Sequence, residues 1–346
     1  MLFKSVLAAT LAASVLAQPV AHQHHQHEKK DVVQTVVVTV TPGAAAPTAA
    51  AAPAAATSAA AAPVSGSSSA PAAASSGSSG SSGSSVGSGA AGAKGITYSP
   101  YNGDGSCKSA GQVKSDLAQL KGFNLIRLYG VDCNQVPNVL AALSPGQKIF
   151  AGIFNVGNIA GDIGTLASAV SAAGGWSVVD TVSIGNELVN SGQANVGQIQ
   201  SYVDQGRSAL KAAGYNGPVV SVDTFIAVIN NPGLCACSDY IAVNAHAFFD
   251  GHVVAENAGD WVLQQLQRVS SACGGKKVVI TESGWPNRGN ANGQCVPGVQ
   301  QQQAAIASIK SKCGDATILF NAFDDLWKSD NAYTFGAEKY WGIYGN

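Results

Sequence analysis

The run Val278-Val279-Ile280-Thr281-Glu282-Ser283-Gly284-Trp285-Pro286 decides how the chain is read. Four β-branched residues precede a carboxylate, and turn-forming residues follow at once. Such a run reads as a buried strand, with Glu282 where the strand meets its loop. A second run, Val178 to Glu187, closes in the same way on Ser183-Ile184-Gly185-Asn186-Glu187. Similar runs recur at Gly95 to Pro100, Asn124 to Tyr129, Lys148 to Asn155, Pro218 to Phe225, Tyr240 to Phe248 and Ala316 to Phe323. With Val178 to Glu187 and Lys277 to Glu282 they make eight.

Helical patterns lie between most of these runs, at Ala110 to Leu120, Val196 to Ala213, Trp261 to Cys273 and Val299 to Lys312. Alternating strand and helix predicts parallel strands, and eight units in 253 residues (94–346) predict an α/β fold of the (β/α)8 TIM-barrel type. The competing architecture is an open doubly wound sheet. The first strand-to-helix turn, Pro100 to Ser106, lacks the G-x-G-x-x-G pattern expected of that sheet. At about 32 residues per unit, the 95 residues separating Glu187 from Glu282 are close to three units. The two glutamates then end the fourth and seventh strands, on the C-terminal face where barrel enzymes keep their active sites.

The part before the barrel has a different composition. Residues 1–17 carry a basic start, a short apolar run and Val15-Leu16-Ala17, the pattern of a signal peptide, so a secreted protein is expected. Residues 18–30 hold His22-Gln23-His24-His25-Gln26-His27 and the dibasic Lys29-Lys30, which suits kexin-type processing. The histidines read either as a metal-binding tract or as a solvated propeptide that is removed. In residues 31–93 a short Val/Thr segment leads into a Ser/Ala/Gly/Pro-rich stretch. That stretch has too few branched or aromatic residues to offset ordering entropy, so it reads as a disordered stalk whose Ser and Thr could carry O-linked sugars. No later apolar run is long enough for a membrane span, and no Asn-X-Ser/Thr site is present. With 11% charged residues and a net charge of −1, the near-neutral balance argues against nucleic acid as partner, since a basic patch is not easily assembled from it, and an uncharged polymer suits it better.

Two carboxyl groups on one face of a barrel are the equipment of glycoside hydrolysis, in which one protonates the leaving oxygen and the other attacks or stabilises the anomeric carbon. Asn186 beside Glu187 could bond a sugar 2-hydroxyl. Tyr98, Arg127 and Tyr129 lie near strand ends on the same face, either attending the carboxylates or packing and pairing structurally. His246, Phe248 and Phe249 follow the sixth strand, where the aromatic faces either stack on pyranose rings or fill the core. Trp285 reads as the best sugar platform. Asp325, Trp327, Lys328, Lys339 and Trp341 follow the last strand and are further cleft candidates, although Trp341 could instead close the barrel. Only His252 stands near His246 at ligand-like spacing, so neither a metal nor another cofactor is expected.

Gly95-Ile96-Thr97-Tyr98-Ser99-Pro100-Tyr101, Ile126-Arg127-Leu128-Tyr129-Gly130, Ser183-Ile184-Gly185-Asn186-Glu187 and Thr281-Glu282-Ser283-Gly284-Trp285-Pro286 resemble the motifs of glycoside hydrolase family 17. Within it they are similar to the fungal cell-wall β-1,3-glucanase-like proteins of the soluble cell wall protein and 65-kDa mannoprotein group. The resemblance implies a secreted enzyme of the fungal cell wall that cleaves or rearranges β-1,3-glucan with retention, with Glu187 as acid/base and Glu282 as nucleophile. Retention implies carboxyls about 5 to 5.5 Å apart. A wall mannoprotein or adhesin that only binds glucan is the alternative. The family often carries glutamate where Asp325 stands, which leaves a third carboxylate role open.

Seven cysteines, all from Cys107 onward, suit an oxidising compartment. Cys107 with Cys133, and Cys273 with Cys313, follow or precede neighbouring strands and are the expected pairs. Cys235, Cys237 and Cys295 remain, one of them available for a disulfide to a wall component.

Overall fold

The computed structural model describes Gly89 and residues 91–344, so the expected leader, His-rich segment, Val/Thr segment and nearly all of the stalk lie outside the described residues. Nine parallel strands run through it: β1 Gly95–Thr97, β2 Leu125–Arg127, β3 Lys148–Ile153, β4 Val179–Ile184, β5 Val219–Val220, β6 Val222–Thr224, β7 Ile241–Asn244, β8 Val278–Ser283 and β9 Thr317–Leu319. Their order in the sheet is β5-β4-β3-β2-β1-β9-β8-β7-β6. The two ends of that order, β5 and β6, are separated in the chain by Ser221 alone. They are therefore two halves of one barrel strand, the first paired with β4 and the second with β7, and the sheet closes on itself through eight positions. At the break, the Ser221 N–H donates to Ser238 Oγ at 2.7 Å instead of to a neighbouring strand.

Eight helices accompany the strands in the described residues: α1 Ala110–Gln119, α2 Gln135–Leu140, α3 Ile159–Ala172, α4 Val196–Ala212, α5 Phe225–Asn230, α6 Leu234–Cys237, α7 Ala258–Ala272 and α8 Val299–Cys313. The four helices expected from periodicity correspond to α1, α4, α7 and α8. Two of them start on reciprocal caps, Ser109 with Gln112 and Asn195 with Gln198, which satisfy donors that the first helical turn leaves without partners.

Strand alternation sorts side chains into two layers. Leu125, Phe150, Val220, Val222, Ala242 and Ile318 pack on one another inside the barrel. Their neighbours Ile126, Ile149, Val219, Ile241, Val243 and Leu319 belong to the larger apolar layer shared with the helices. β8 breaks the alternation. Val243 pairs with Ile280 but Asn244 pairs with Glu282, and across the other edge Ile280 pairs with Thr317 but Ser283 with Leu319. On both sides β8 carries one extra residue, a bulge that re-aims the side chains beyond it. The turn after it needs a glycine, because a Cβ on Gly284 would overlap the Phe320 carbonyl oxygen.

The disulfides are Cys107–Cys133, as expected, and Cys235–Cys273. The second corrects the expected Cys273–Cys313 pair. Helix α6, which the sequence pattern does not announce, carries Cys235 to the end of α7, while Cys313 is buried with its Sγ on the Ile309 carbonyl of its own helix. Cys237, Cys295 and Cys313 are free and buried. Peptide mapping without reduction is expected to return the 107–133 and 235–273 links, with the other three thiols alkylated only after unfolding; a 273–313 link would overturn this pairing.

Candidate active site

The alternation that puts Leu125 inside the barrel also turns Arg127 inward. Its guanidinium is 1% exposed and lies over the Phe150 and Tyr129 rings. Nη1 donates to Glu282 Oε1 and to the Thr281 carbonyl, both at 2.8 Å, and Nη2 donates to Asn186 Oδ1 at 2.9 Å. Without the β8 bulge, Thr281 and Glu282 would face opposite sides of the sheet. With it, both side chains face inward, the Thr281 hydroxyl donating to Asn244 Oδ1 at 2.8 Å and the Glu282 carboxylate meeting Arg127. Tyr129, two residues on, donates its hydroxyl to the same Glu282 oxygen at 2.9 Å. Burial, then the Glu282 carboxylate, pushes the Tyr129 phenol well above its ordinary pKa, which holds it as a donor. His246 Nε2 stands 3.3 Å from the other oxygen, Glu282 Oε2.

Glu187 reaches the same chamber by a different irregularity. It lies three residues past the end of β4 with φ at +52°, a left-handed conformation uncommon for a residue with a Cβ. Its N–H donates to the Val222 carbonyl and its Oε1 accepts from Asn244 Nδ2 at 2.7 Å. Asn244 also contacts Asn186 Oδ1, at 3.4 Å, so Arg127, Asn186 and Asn244 join the two carboxyl groups in one network. Asn244 is the member that the sequence reading missed. The signal was present, since it stands two residues before His246 on the same strand face.

A cleft opens above this network. Beside Glu187 and Glu282 its walls include His246, Phe249, Phe320 and Trp341 on one side, and Tyr101, Asp132 and Trp327 on another. Lys328 lies at its edge between Asp325 Oδ2 at 3.1 Å and Glu338 Oε1 at 3.6 Å. Burial alone would lower its pKa, but these carboxylates push it up to about 12. Three expected site residues lie elsewhere. Tyr98 shares the outward parity of Ile96 and gives its hydroxyl to Asp116 of α1. Phe248 turns into the core where the 3-10 turn Ala247–Phe249 interrupts alternation, and Phe249 lines the cleft in its place. Trp285 is fully buried, packs against Phe248 and donates Nε1 to the Val296 carbonyl, so it presents no face to a sugar.

A third carboxyl lies close by. Asp223 of β6 is 3% exposed, and burial, followed by the charge of Glu187, raises its pKa from an ordinary 3.8 to about 7. The folded state thus holds this proton more tightly than the unfolded chain does. The associated stability is complete below about pH 4 and is lost as pH rises towards 7, by roughly 4 kcal/mol in all. In Asp223→Asn this component is gone, so the melting temperature of the variant is expected to gain several degrees relative to wild type between pH 4 and 7.5. A gap that stays constant with pH would overturn the assignment.

Comparison with known proteins bears on the same region. The chain is 67% identical over 253 residues to cell surface mannoprotein MP65 of Candida albicans, covering 73% of this chain and 66% of the relative. It is 61% identical over 250 residues to probable family 17 glucosidase SCW10 of Saccharomyces cerevisiae, covering 72% and 64% respectively. It thus spans slightly less than two thirds of the length of these relatives. The crystal structure of a glycoside hydrolase family 17 β-1,3-glucanosyltransferase from Rhizomucor miehei superposes with a TM-score of 0.61 at 25% identity, over 74% of this chain and 94% of that one. The model of the BtgE/BtgC glycoside hydrolase domain matches residues 95–342, and the chain belongs to that family, in agreement with the family 17 motifs of its sequence.

Proposed function

We propose that the barrel cleaves and re-forms β-1,3-glucosidic bonds of fungal cell-wall glucan with retention at the anomeric carbon. The observation that carries this reading is the network in which Arg127, Asn186 and Asn244 join Glu187 and Glu282 at the floor of an aromatic-walled cleft. The substrate class follows the printed names of the relatives, a probable family 17 glucosidase and a β-1,3-glucanosyltransferase. A wall or cell-surface location follows the name of the mannoprotein relative and the leader-like start. Attachment by a disulfide has less support, because the three free thiols are buried.

In this reading Glu282 is the nucleophile. Arg127 and Tyr129 favour its ionised form by placing a positive charge and a hydroxyl donor on Oε1, and Oε2 is the oxygen directed at the sugar. In the first step Glu282 forms a bond to C1 while the glycosidic oxygen leaves with the proton of Glu187. In the second, Glu187 takes a proton from water or from a sugar hydroxyl, whose oxygen attacks C1 and releases Glu282. Asn186 Oδ1 accepts from Arg127 and Asn244, which fixes its amide beside the two glutamates, where a sugar 2-hydroxyl would be met. Phe249, Trp341 and Trp327 replace Trp285 as the apolar surfaces for pyranose rings.

Glu282→Gln is expected to lower turnover of laminari-oligosaccharides by ~1000-fold or more while leaving their binding measurable by calorimetry. Proton NMR of the first-formed product is expected to show the β-anomer, and products longer than the substrate would identify transfer. An α-anomer would overturn retention. Binding by the wild type without any turnover would leave the non-catalytic wall protein as the reading.

A further inference from the structure

The geometry points to Asp223 as the positioning residue of Glu187, a latch that holds the proposed acid/base where it can exchange a proton with the glycosidic oxygen. This rests on the acid/base reading of Glu187. It goes further by assigning a role to a carboxylate outside the cleft wall.

The left-handed conformation of Glu187 is disfavoured for a residue with a Cβ and persists only if its surroundings impose it. Three consecutive residues of the fifth barrel strand supply that constraint. The Val222 carbonyl accepts the Glu187 N–H at 2.9 Å. Asp223 Oδ2 accepts from the Val189 N–H at 2.9 Å and Oδ1 from the Asn190 N–H at 3.1 Å, which fixes the chain directly after Glu187. Thr224 donates its hydroxyl to Asn190 Oδ1 at 3.0 Å. Asp223 is a poor choice on stability grounds alone: among the described residues its acceptors meet main-chain N–H groups, including that of Thr224, and it pairs with no cation. Once ionised, above about pH 7, a buried carboxyl of this kind is expensive, and a neutral side chain would spare the fold that burden. What a carboxyl group supplies, ionised or protonated, is acceptor capacity on both oxygens for two adjacent N–H groups. In asparagine one of the two would face an NH2, which has no acceptor to offer.

The role predicts a defect selective for steps that use Glu187. A sugar leaving group needs its proton; 2,4-dinitrophenolate departs without one, so bond formation by Glu282 proceeds normally on 2,4-dinitrophenyl β-laminaribioside. In Asp223→Asn, kcat/KM for laminarihexaose is expected to fall roughly 100-fold, whereas kcat/KM for the dinitrophenyl substrate stays within about threefold of wild type. Added azide attacks C1 without base assistance: the C1–N bond forms, the C1–Oε bond to Glu282 breaks, and a β-glycosyl azide is expected in the variant. Glu187→Ala run in parallel should show the same pattern more strongly. If Asp223→Asn does not fold, Asn190→Ala releases the Thr224 contact, keeps Asp223 and is expected to show a smaller shift of the same kind. Equal losses on both substrates, or no loss, would overturn the latch. If Glu187→Ala itself treats the two substrates alike, the acid/base reading falls, and the failure is then located there.

Discussion

Everything at the mouth of this barrel depends on one buried cation. The Arg127 guanidinium sits inside the sheet, against the rings of Phe150 and Tyr129, and cannot be left unpaired there without a penalty of several kcal/mol. Its bonds to Glu282, the Thr281 carbonyl and Asn186 therefore fix three segments at once: β8, its bulge, and the loop after β4. Charge neutrality at this point makes the position of Glu282 a property of the core, because disturbing it would also strand Arg127. Asn244 extends the same arrangement to Glu187.

Both glutamates owe their positions to breaks in regular structure. A strictly alternating β8 would direct Glu282 away from Thr281, and the extra residue brings them to the same side. A chain that left β4 along an ordinary helical or extended path would not carry Glu187 with φ at +52°. The barrel supplies the frame, and two local irregularities place the chemistry on it. The break at Ser221 is related, since it frees Val222 to Thr224 from register with β4 and lets them pair with β7 while they grip the Glu187 loop.

Much of this was legible in the sequence because parallel strands repeat with period two and barrels with a period of about 32 residues. Arg127, Tyr129 and His246 fall on the inward face by parity, and the unit count puts the two glutamates on the right strands. What misled was the same rule applied where it does not hold or was not carried through. Tyr98 is outward by the parity of Ile96, which the motif resemblance obscured. Trp285 lies beyond the bulge and Phe248 within a 3-10 turn, where alternation says nothing. The Cys235–Cys273 link was hidden because a four-residue helix leaves no readable periodicity. Asp223 carries no local signal at all, since its importance comes from N–H groups more than thirty residues away in the chain.

The conformation of Glu187 has an evolutionary side. Glycine occupies a left-handed backbone without a steric penalty, so at this position the substitution that relaxes the chain is the one that removes the carboxyl group. Asp223 has the same character above about pH 7, where a neutral residue would lighten the burden of a buried charge. Selection for thermal robustness alone would drift towards losing both. If the proposed roles hold, the two together are a local trade of stability for activity, confined to one stretch while the rest of the barrel is free to optimise its packing.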